Sequence, residues 1–196
     1  MDPDNYKKEE VVEKYDEARF QDSNWRKKYF DIFERGCVTK WIRPGEVLDV
    51  GCGTSRFGFI SKYTGADFSE AMLEKARQKH PDNDYIQADA HELPFEDNSF
   101  ENVISTRLLM HIEDWEKAVE EMHRVCKPGG RIIFDVKPQG VMSLLLRWRQ
   151  KELKKENLNL NIVDTDYLHR YNVLATANFP KLAPMTKFIV IEKEES

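Results

Sequence analysis

Along the middle of the chain, short bursts of alternating apolar and polar residues are separated by stretches in which apolar residues recur every three or four positions. The first spacing is that of half-buried strands, the second that of helices packed by one face. Glu46–Val50 reads as a first strand, and a short second one ends at Ala66-Asp67 with Tyr63 before it. Asp84–Ala88, Asn102–Thr106 and Arg131–Val136 read as the third, fourth and fifth, and Lys187–Ile191 as a terminal strand. Between them, Ser69 is a natural N-cap for a helix that runs through Leu73, Ala76 and Arg77 and ends at His80-Pro81. Glu113–Cys126 is another, with its apolar stripe at Trp115, Val119, Met122 and Cys126. Lys127-Pro128-Gly129-Gly130 stops that helix and turns into the fifth strand.

The two ends have a different texture. Residues 1 to about 40 read as charged helices carrying aromatics at helical spacings, from Tyr15 and Phe20 to Tyr29, Phe30 and Phe33. Gly140 to about Asn157 reads as one helix, apolar and then strongly basic, and Thr165–Ala177 as another capped by Thr165. Strands alternating with helices imply right-handed crossovers, so the expected fold is α/β with a doubly wound, mostly parallel sheet. A chain of 196 residues is expected to form one structural domain. Within it, 1–40 is a helical cap, 41–136 the core of the main body, and 137–196 its C-terminal, substrate-side elements.

Composition narrows the function. A net charge of −5 offers no global basic field for nucleic acid, and none is expected as a partner. Hydrophobic and charged fractions of 40% and 33% describe a folded, well-solvated chain. Cys37, Cys52 and Cys126 are odd in number and unpaired in spacing, which argues against a disulfide framework and a zinc site. The acidic start Met1-Asp2-Pro3-Asp4 lacks a signal-peptide pattern, and Val141–Leu146 is too short to span a bilayer. The expected location is the cytoplasm, and no residue pattern assigns an oligomeric state.

The candidate chemistry starts at Val47-Leu48-Asp49-Val50-Gly51-Cys52-Gly53-Thr54, a buried strand stopping at a tight glycine turn. Glycines there let a ligand press on main-chain N–H groups, and a following helix adds its positive end. A dinucleotide site requires a third glycine where Arg56 stands, so that pattern is incomplete. Asp67, ending the second strand, suits ribose hydroxyls in either a dinucleotide or another nucleoside site.

Further segments follow in order: Gly65-Ala66-Asp67-Phe68-Ser69-Glu70-Ala71-Met72-Leu73, then Ala88-Asp89-Ala90-His91-Glu92-Leu93-Pro94-Phe95, Leu109-Met110-His111-Ile112-Glu113-Asp114, and Arg124-Val125-Cys126-Lys127-Pro128-Gly129-Gly130. Together with the glycine turn, these resemble the class I S-adenosylmethionine-dependent methyltransferases, in particular the branch that modifies small molecules, quinone precursors and lipids. The resemblance covers about residues 41–136. It implies a Rossmann-like sheet of seven strands, the last antiparallel and inserted beside the fifth, with N-terminal cap helices. It also implies a cofactor, S-adenosylmethionine, leaving as S-adenosylhomocysteine.

The resemblance implies roles residue by residue. Gly51, Cys52 and Gly53 form the loop that the methionine end approaches, and Asp49 below it orients the loop or meets the ammonium through water. Asp67 takes the two ribose hydroxyls, and Phe68 and Met72 pack on the adenine faces. Asp89 accepts from the adenine amino group while the Ala90 N–H donates to a ring nitrogen. Thr106 and Arg107 border the sulfonium and its methyl. Plainer readings stand beside these: Asp49 as a turn cap, Asp67 as a helix-start charge, Phe68 and Met72 as core, Asp89 as a turn former. His111 reads as structural rather than as a base, and His80, His91, His123 and His169 have no metal-ligand spacing.

Three departures from the family pattern are expected to be tolerated. Ser55 replaces a common glycine, at little cost if its φ is negative. The short stretch from Gly53 to Asp67 limits the following helix to a turn or two, and Asn102 replaces a common acid.

The implied activity is in-line methyl transfer to a small-molecule or lipid-like acceptor. It needs alignment and exclusion of water more than a catalytic triad, and no general base is singled out. Acceptor selection is expected from the N-terminal helices, where Tyr15, Arg19 and Tyr29 close over the cofactor or simply pack, and from 137–184. Residues 140–155 fit either a weak membrane-surface contact or a helix that covers the sheet and exposes a charged end. The competing functions are a non-catalytic cofactor-binding subunit that needs a partner, another transferase using the same pocket, and a dinucleotide oxidoreductase.

Overall fold

A computed structural model describes residues 25–137, 165–179 and 186–195. The expected helix at 140–157, with the proposed membrane contact at 140–155, lies outside them. The elements run in the order α1 (Trp25–Trp41), β1 (Val47–Val50), β2 (Tyr63–Asp67), α2 (Glu70–Lys79), β3 (Asp84–Gln87), β4 (Phe100–Ser105), α3 (Trp115–Val125), β5 (Cys126–Val136), a short 3-10 helix (Thr165–Arg170), β6 (Asn172–Phe179) and β7 (Thr186–Glu192). They form one seven-stranded sheet of order β3-β2-β1-β4-β5-β7-β6. The first five strands are parallel, and β7 runs antiparallel between β5 and β6.

Alternation along the strands sorts the core into two layers. Val47, Ile104, Ile133, Phe188 and Val190 face one side with Leu73 of α2 and Val38 of α1. Leu48, Val103, Ile132, Phe134, Ile189 and Ile191 face the other with Val119 and Met122 of α3. Successive strand residues point to opposite faces, so neighbours such as Ile132 and Ile133 serve different layers. The Ser69 Oγ accepts the Met72 N–H at 3.3 Å, the expected cap of α2. Phe33 of α1 meets Phe188 of β7 edge-on, at 5.8 Å between ring centroids.

Four local expectations are corrected. No helix follows the glycine turn; residues 51–62 form a chain of turns. Ser55 and Lys62 there adopt φ of 59° and 55°, which a right-handed helix excludes. Ser55 therefore does not have the negative φ that would make it cheap. Its Oγ accepts the Tyr85 hydroxyl at 2.7 Å, and this bond holds the turn.

The expected helix at Thr165–Ala177 is only the 3-10 segment, and the chain then extends as β6. Pairing with β7, for example Val173 opposite Ile191 and Ala177 opposite Phe188, overrides local helical preference. Lys127–Gly130 is not a free turn before the fifth strand but an irregular part of β5, beside the shift between Phe100 and Asn102.

Lys193, beyond β7, also takes part in the fold. The Gly129 N–H donates to the Lys193 carbonyl, and the Lys193 ammonium donates to the carbonyls of His123 and Cys126 where α3 ends. Asn102, in place of the usual acid, exchanges two hydrogen bonds with the Arg43 backbone at 2.8 and 2.9 Å.

Phe134 is fully buried in the C-terminal half of β5. Phe134→Ala should lower unfolding free energy by about 3–5 kcal/mol. Denaturant titration would show this as a lower midpoint with an unchanged slope.

Candidate functional site

The order of winding reverses between β1 and β4, and loops leaving their C-terminal ends diverge there, leaving a crevice. A cavity of about 320 Å³ occupies it. Loops after β1, β2, β3 and β4 all contribute to its wall.

The glycine turn is set by backbone bonds to the end of β2. Gly51 and Cys52 both donate to the Ala66 carbonyl, at 2.8 and 3.1 Å. Gly51 and Gly53 have φ of 74° and 53°. A Cβ on Gly51 would approach Leu108 to 2.9 Å, whereas one on Gly53 would meet nothing. Gly51 is thus required by crowding and conformation, and Gly53 by conformation, with open space above it.

Asp67 closes the arrangement: Oδ2 accepts the Gly53 N–H at 2.8 Å and Oδ1 the Ser69 N–H at 2.9 Å. Burial raises its pKa, and the Ser69, Gly53 and Phe68 N–H groups oppose the rise. Each carboxylate oxygen keeps capacity for a further donor.

Asp49 is 2% exposed and accepts the Tyr63 hydroxyl at 2.7 Å. Complete burial pushes its pKa up to about 7, and the Tyr63 bond resists the shift. Cys52 between the glycines is a buried thiol, driven well above its ordinary pKa by burial and then by Asp49 and Asp67. Such a thiol stays protonated and is a poor nucleophile.

At the other end, Asp89 Oδ1 accepts from both the His91 N–H at 2.9 Å and the His91 ring at 2.6 Å. Burial would raise the Asp89 pKa, but these His91 contacts outweigh it and the net shift is downward. The ring's other nitrogen lies 2.8 Å from the Glu113 carbonyl. His91 thereby ties the Asp89 loop to the approach to α3.

All eleven residues singled out from the sequence line this one cavity: Asp49, Gly51, Cys52, Gly53, Asp67, Phe68, Met72, Asp89, Ala90, Thr106 and Arg107. Met72 is buried in the wall, and Phe68 is 46% exposed at the mouth, so Phe68 is not core. Tyr29 is mostly exposed and does not line the cavity.

Sequence reasoning missed several members of the wall. His91 and His111 line the cavity, as do Leu93 and Ile112. Arg56, noticed only as a missing glycine, also lines it and is 8% exposed. Its partners Asp31 and Glu34 come from α1. The available signal was Glu34 itself, an acid in the helical row between Phe30 and Val38.

Among the described residues, no group of three or more His, Cys, Asp or Glu is placed to hold a metal ion. None of the helices among them is long and apolar enough to cross a membrane.

A family model described as a methyltransferase domain matches residues 48–134. The demethylmenaquinone methyltransferase of Staphylococcus epidermidis is 41% identical over 102 residues, covering 46% of this chain and 42% of its own length. That of Desulfitobacterium hafniense is 37% identical over 127 residues, covering 57% of this chain and 47% of its own. This chain therefore spans less than half the length of these curated relatives. A solved SAM-dependent methyltransferase of Thermotoga maritima shares the fold at a TM-score of 0.69 and 19% identity, over 85% of this chain and 90% of that one.

The raised Asp49 pKa has a measurable sign. Unfolded, this carboxyl ionises at about pH 4; folded, it holds its proton to about pH 7. The stability it contributes is full below the lower value and is lost as pH rises through the upper one. Asp49→Asn cannot ionise, so it should gain stability relative to the wild type between about pH 5 and 8. Thermal unfolding of both proteins at the two pH values checks this, and a constant difference would contradict it.

Proposed function

We propose that this chain, a member of the methyltransferase-domain family through residues 48–134, binds S-adenosylmethionine in the cavity and transfers its methyl group to a small acceptor of the quinol class. The observation that carries the reading is Asp67: a carboxylate at the tip of β2, pinned by two backbone N–H groups beside an open glycine turn. That arrangement offers a rigid pair of acceptors to the two neighbouring hydroxyls of a ribose.

The remaining wall fits the rest of such a ligand. Phe68 and Met72 supply apolar surface to a flat base, with Asp89 and the Ala90 N–H at its edge. The open space above Gly53 admits close main-chain approach at the amino-acid end, where Asp49 is the nearest acid in sequence. Thr106 and Arg107, beyond the tip of β4, border the position left for the methyl group.

Bound there, the cofactor supplies an electrophilic methyl on a sulfonium. This chain's residues have only to fix its orientation, exclude water and present the acceptor in line. No catalytic acid or base is assigned, because an acceptor that loses its proton readily does not require one. The acceptor class is supported by the relatives named demethylmenaquinone methyltransferases. In this reading 1–40 form a cap, 41–136 hold the cofactor, 137–196 lie on the acceptor side, and the chain works in the cytoplasm. A cofactor-binding subunit that acts through a partner is the second reading, favoured by the short span relative to those relatives.

Calorimetry should show binding of S-adenosylmethionine and S-adenosylhomocysteine and none of NAD. Asp67→Ala should weaken S-adenosylmethionine by about 100-fold, the equivalent of two charge-assisted hydrogen bonds. Labelled-methyl transfer to a demethylated naphthoquinol would support the enzyme, binding without transfer would favour the subunit, and tight NAD binding alone would sink both.

A further inference from the structure

Helix α1 is tied to the cavity wall through one buried carboxylate. Glu34, midway along α1, is fully buried and faces two guanidiniums. Arg107 meets it as a bidentate fork, Nε donating to Oε1 at 2.9 Å and Nη2 donating to Oε2. Arg56 places Nη1 at 2.5 Å from Glu34 Oε2 and donates from Nε to Asp31 Oδ1 at 2.7 Å.

Both arginines line the cavity, and their side chains are only 8% and 18% exposed. Arg107 is held at two further points. Its guanidinium lies 5.2 Å from the centroid of the Phe30 ring, and its N–H donates to Asp135 Oδ1 at 2.5 Å. Its φ of 61° is left-handed, a conformation that needs such support. Asp135 is itself fully buried, and its Oδ2 has no hydrogen-bond partner among the described residues.

A helix that only covered an apolar sheet face would not carry an acid in its buried row. Burying Glu34 is costly unless the cations it meets require it there. Those cations sit after β1 and after β4, so one carboxylate joins α1 to two of the loops that line the cavity.

We propose that Glu34 is a positioning residue: by holding Arg56 and Arg107 against α1, it keeps two positive charges on the cavity wall compensated and fixed in place. Docking of α1 and affinity for a cationic ligand are then one linked event. The docking half stands on the ion pairs alone, and the ligand half rests on the cofactor reading above. S-adenosylmethionine carries a sulfonium charge that S-adenosylhomocysteine lacks, so excess positive charge on the wall penalises the first more than the second.

The test compares wild type, Glu34→Gln and the double variant Glu34→Gln/Arg107→Gln. Hydrogen exchange reads the amides of Trp25–Trp41, and calorimetry reads both ligands. Glu34→Gln should speed exchange in α1 by about tenfold and weaken S-adenosylmethionine by about tenfold, with a clearly smaller loss for S-adenosylhomocysteine. The double variant should recover most of both losses, because the Arg107 charge leaves with that of Glu34 while Arg56 keeps its ion pair with Asp31.

Equal weakening of both ligands without recovery in the double variant overturns the positioning role and leaves Glu34 a packing residue. A wild type that binds neither ligand overturns the cofactor reading. In that case exchange alone decides this one, and unchanged exchange in Glu34→Gln overturns it.

Discussion

The Asp67 carboxylate is the constraint on which the site's geometry depends. Its two oxygens take N–H groups from two different loops, Gly53 after β1 and Ser69 before α2. With the Ala66 carbonyl receiving the Gly51 and Cys52 N–H groups, the end of β2 collects four donors from its surroundings. The turn cannot move relative to the start of α2 without stranding buried donors, each costing about 1–3 kcal/mol. The open face above Gly53 is therefore held ready before any ligand arrives, and little ordering remains to be done on binding.

Charge is distributed around this frame with a consistent logic. Asp49, Asp67 and Asp135 all sit at or beside strand tips, and burial raises the pKa of each. Asp135 is pushed to about 7 by its burial and by the neighbouring Glu34 carboxylate, against the Arg107 N–H. The acids crowd together where desolvation disfavours charge, and Arg56 and Arg107 come among them from separate loops. Breaking such a network at one member costs more than never having built it.

Much of this was legible from spacing. Strands β1, β4 and β7 declare themselves because residues such as Leu48 and Val50 alternate with their neighbours, and Ser69 declares α2 because its hydroxyl caps Met72. The cavity wall was legible through the family resemblance, whose ordered motifs fall on the loops after β1, β2, β3 and β4. What escaped depended on distant partners. Leu174, Ala175 and Ala177 favour a helix locally, and only antiparallel pairing with β7 draws them into β6. Glu34 stands in the row of Phe30 and Val38, but the partners that account for burying it, Arg56 and Arg107, lie 22 and 73 residues further on. Ser55 carries no mark of a left-handed φ, because the Tyr85 hydroxyl that steadies it lies on another strand.

The antiparallel insertion of β7 imposes an order on assembly. β6 precedes β7 in the chain yet sits outside it in the sheet, so β6 has no neighbour to pair with until Thr186–Glu192 has been made. Until then β5 is a bare sheet margin, with the backbone groups of Arg131–Val136 open to any extended segment. On the ribosome, the half of the sheet that carries the cavity can pair and twist early, while the other half waits for β7 to slot between β5 and β6. The interval between those two events is when this chain is most exposed to pairing with another copy of itself.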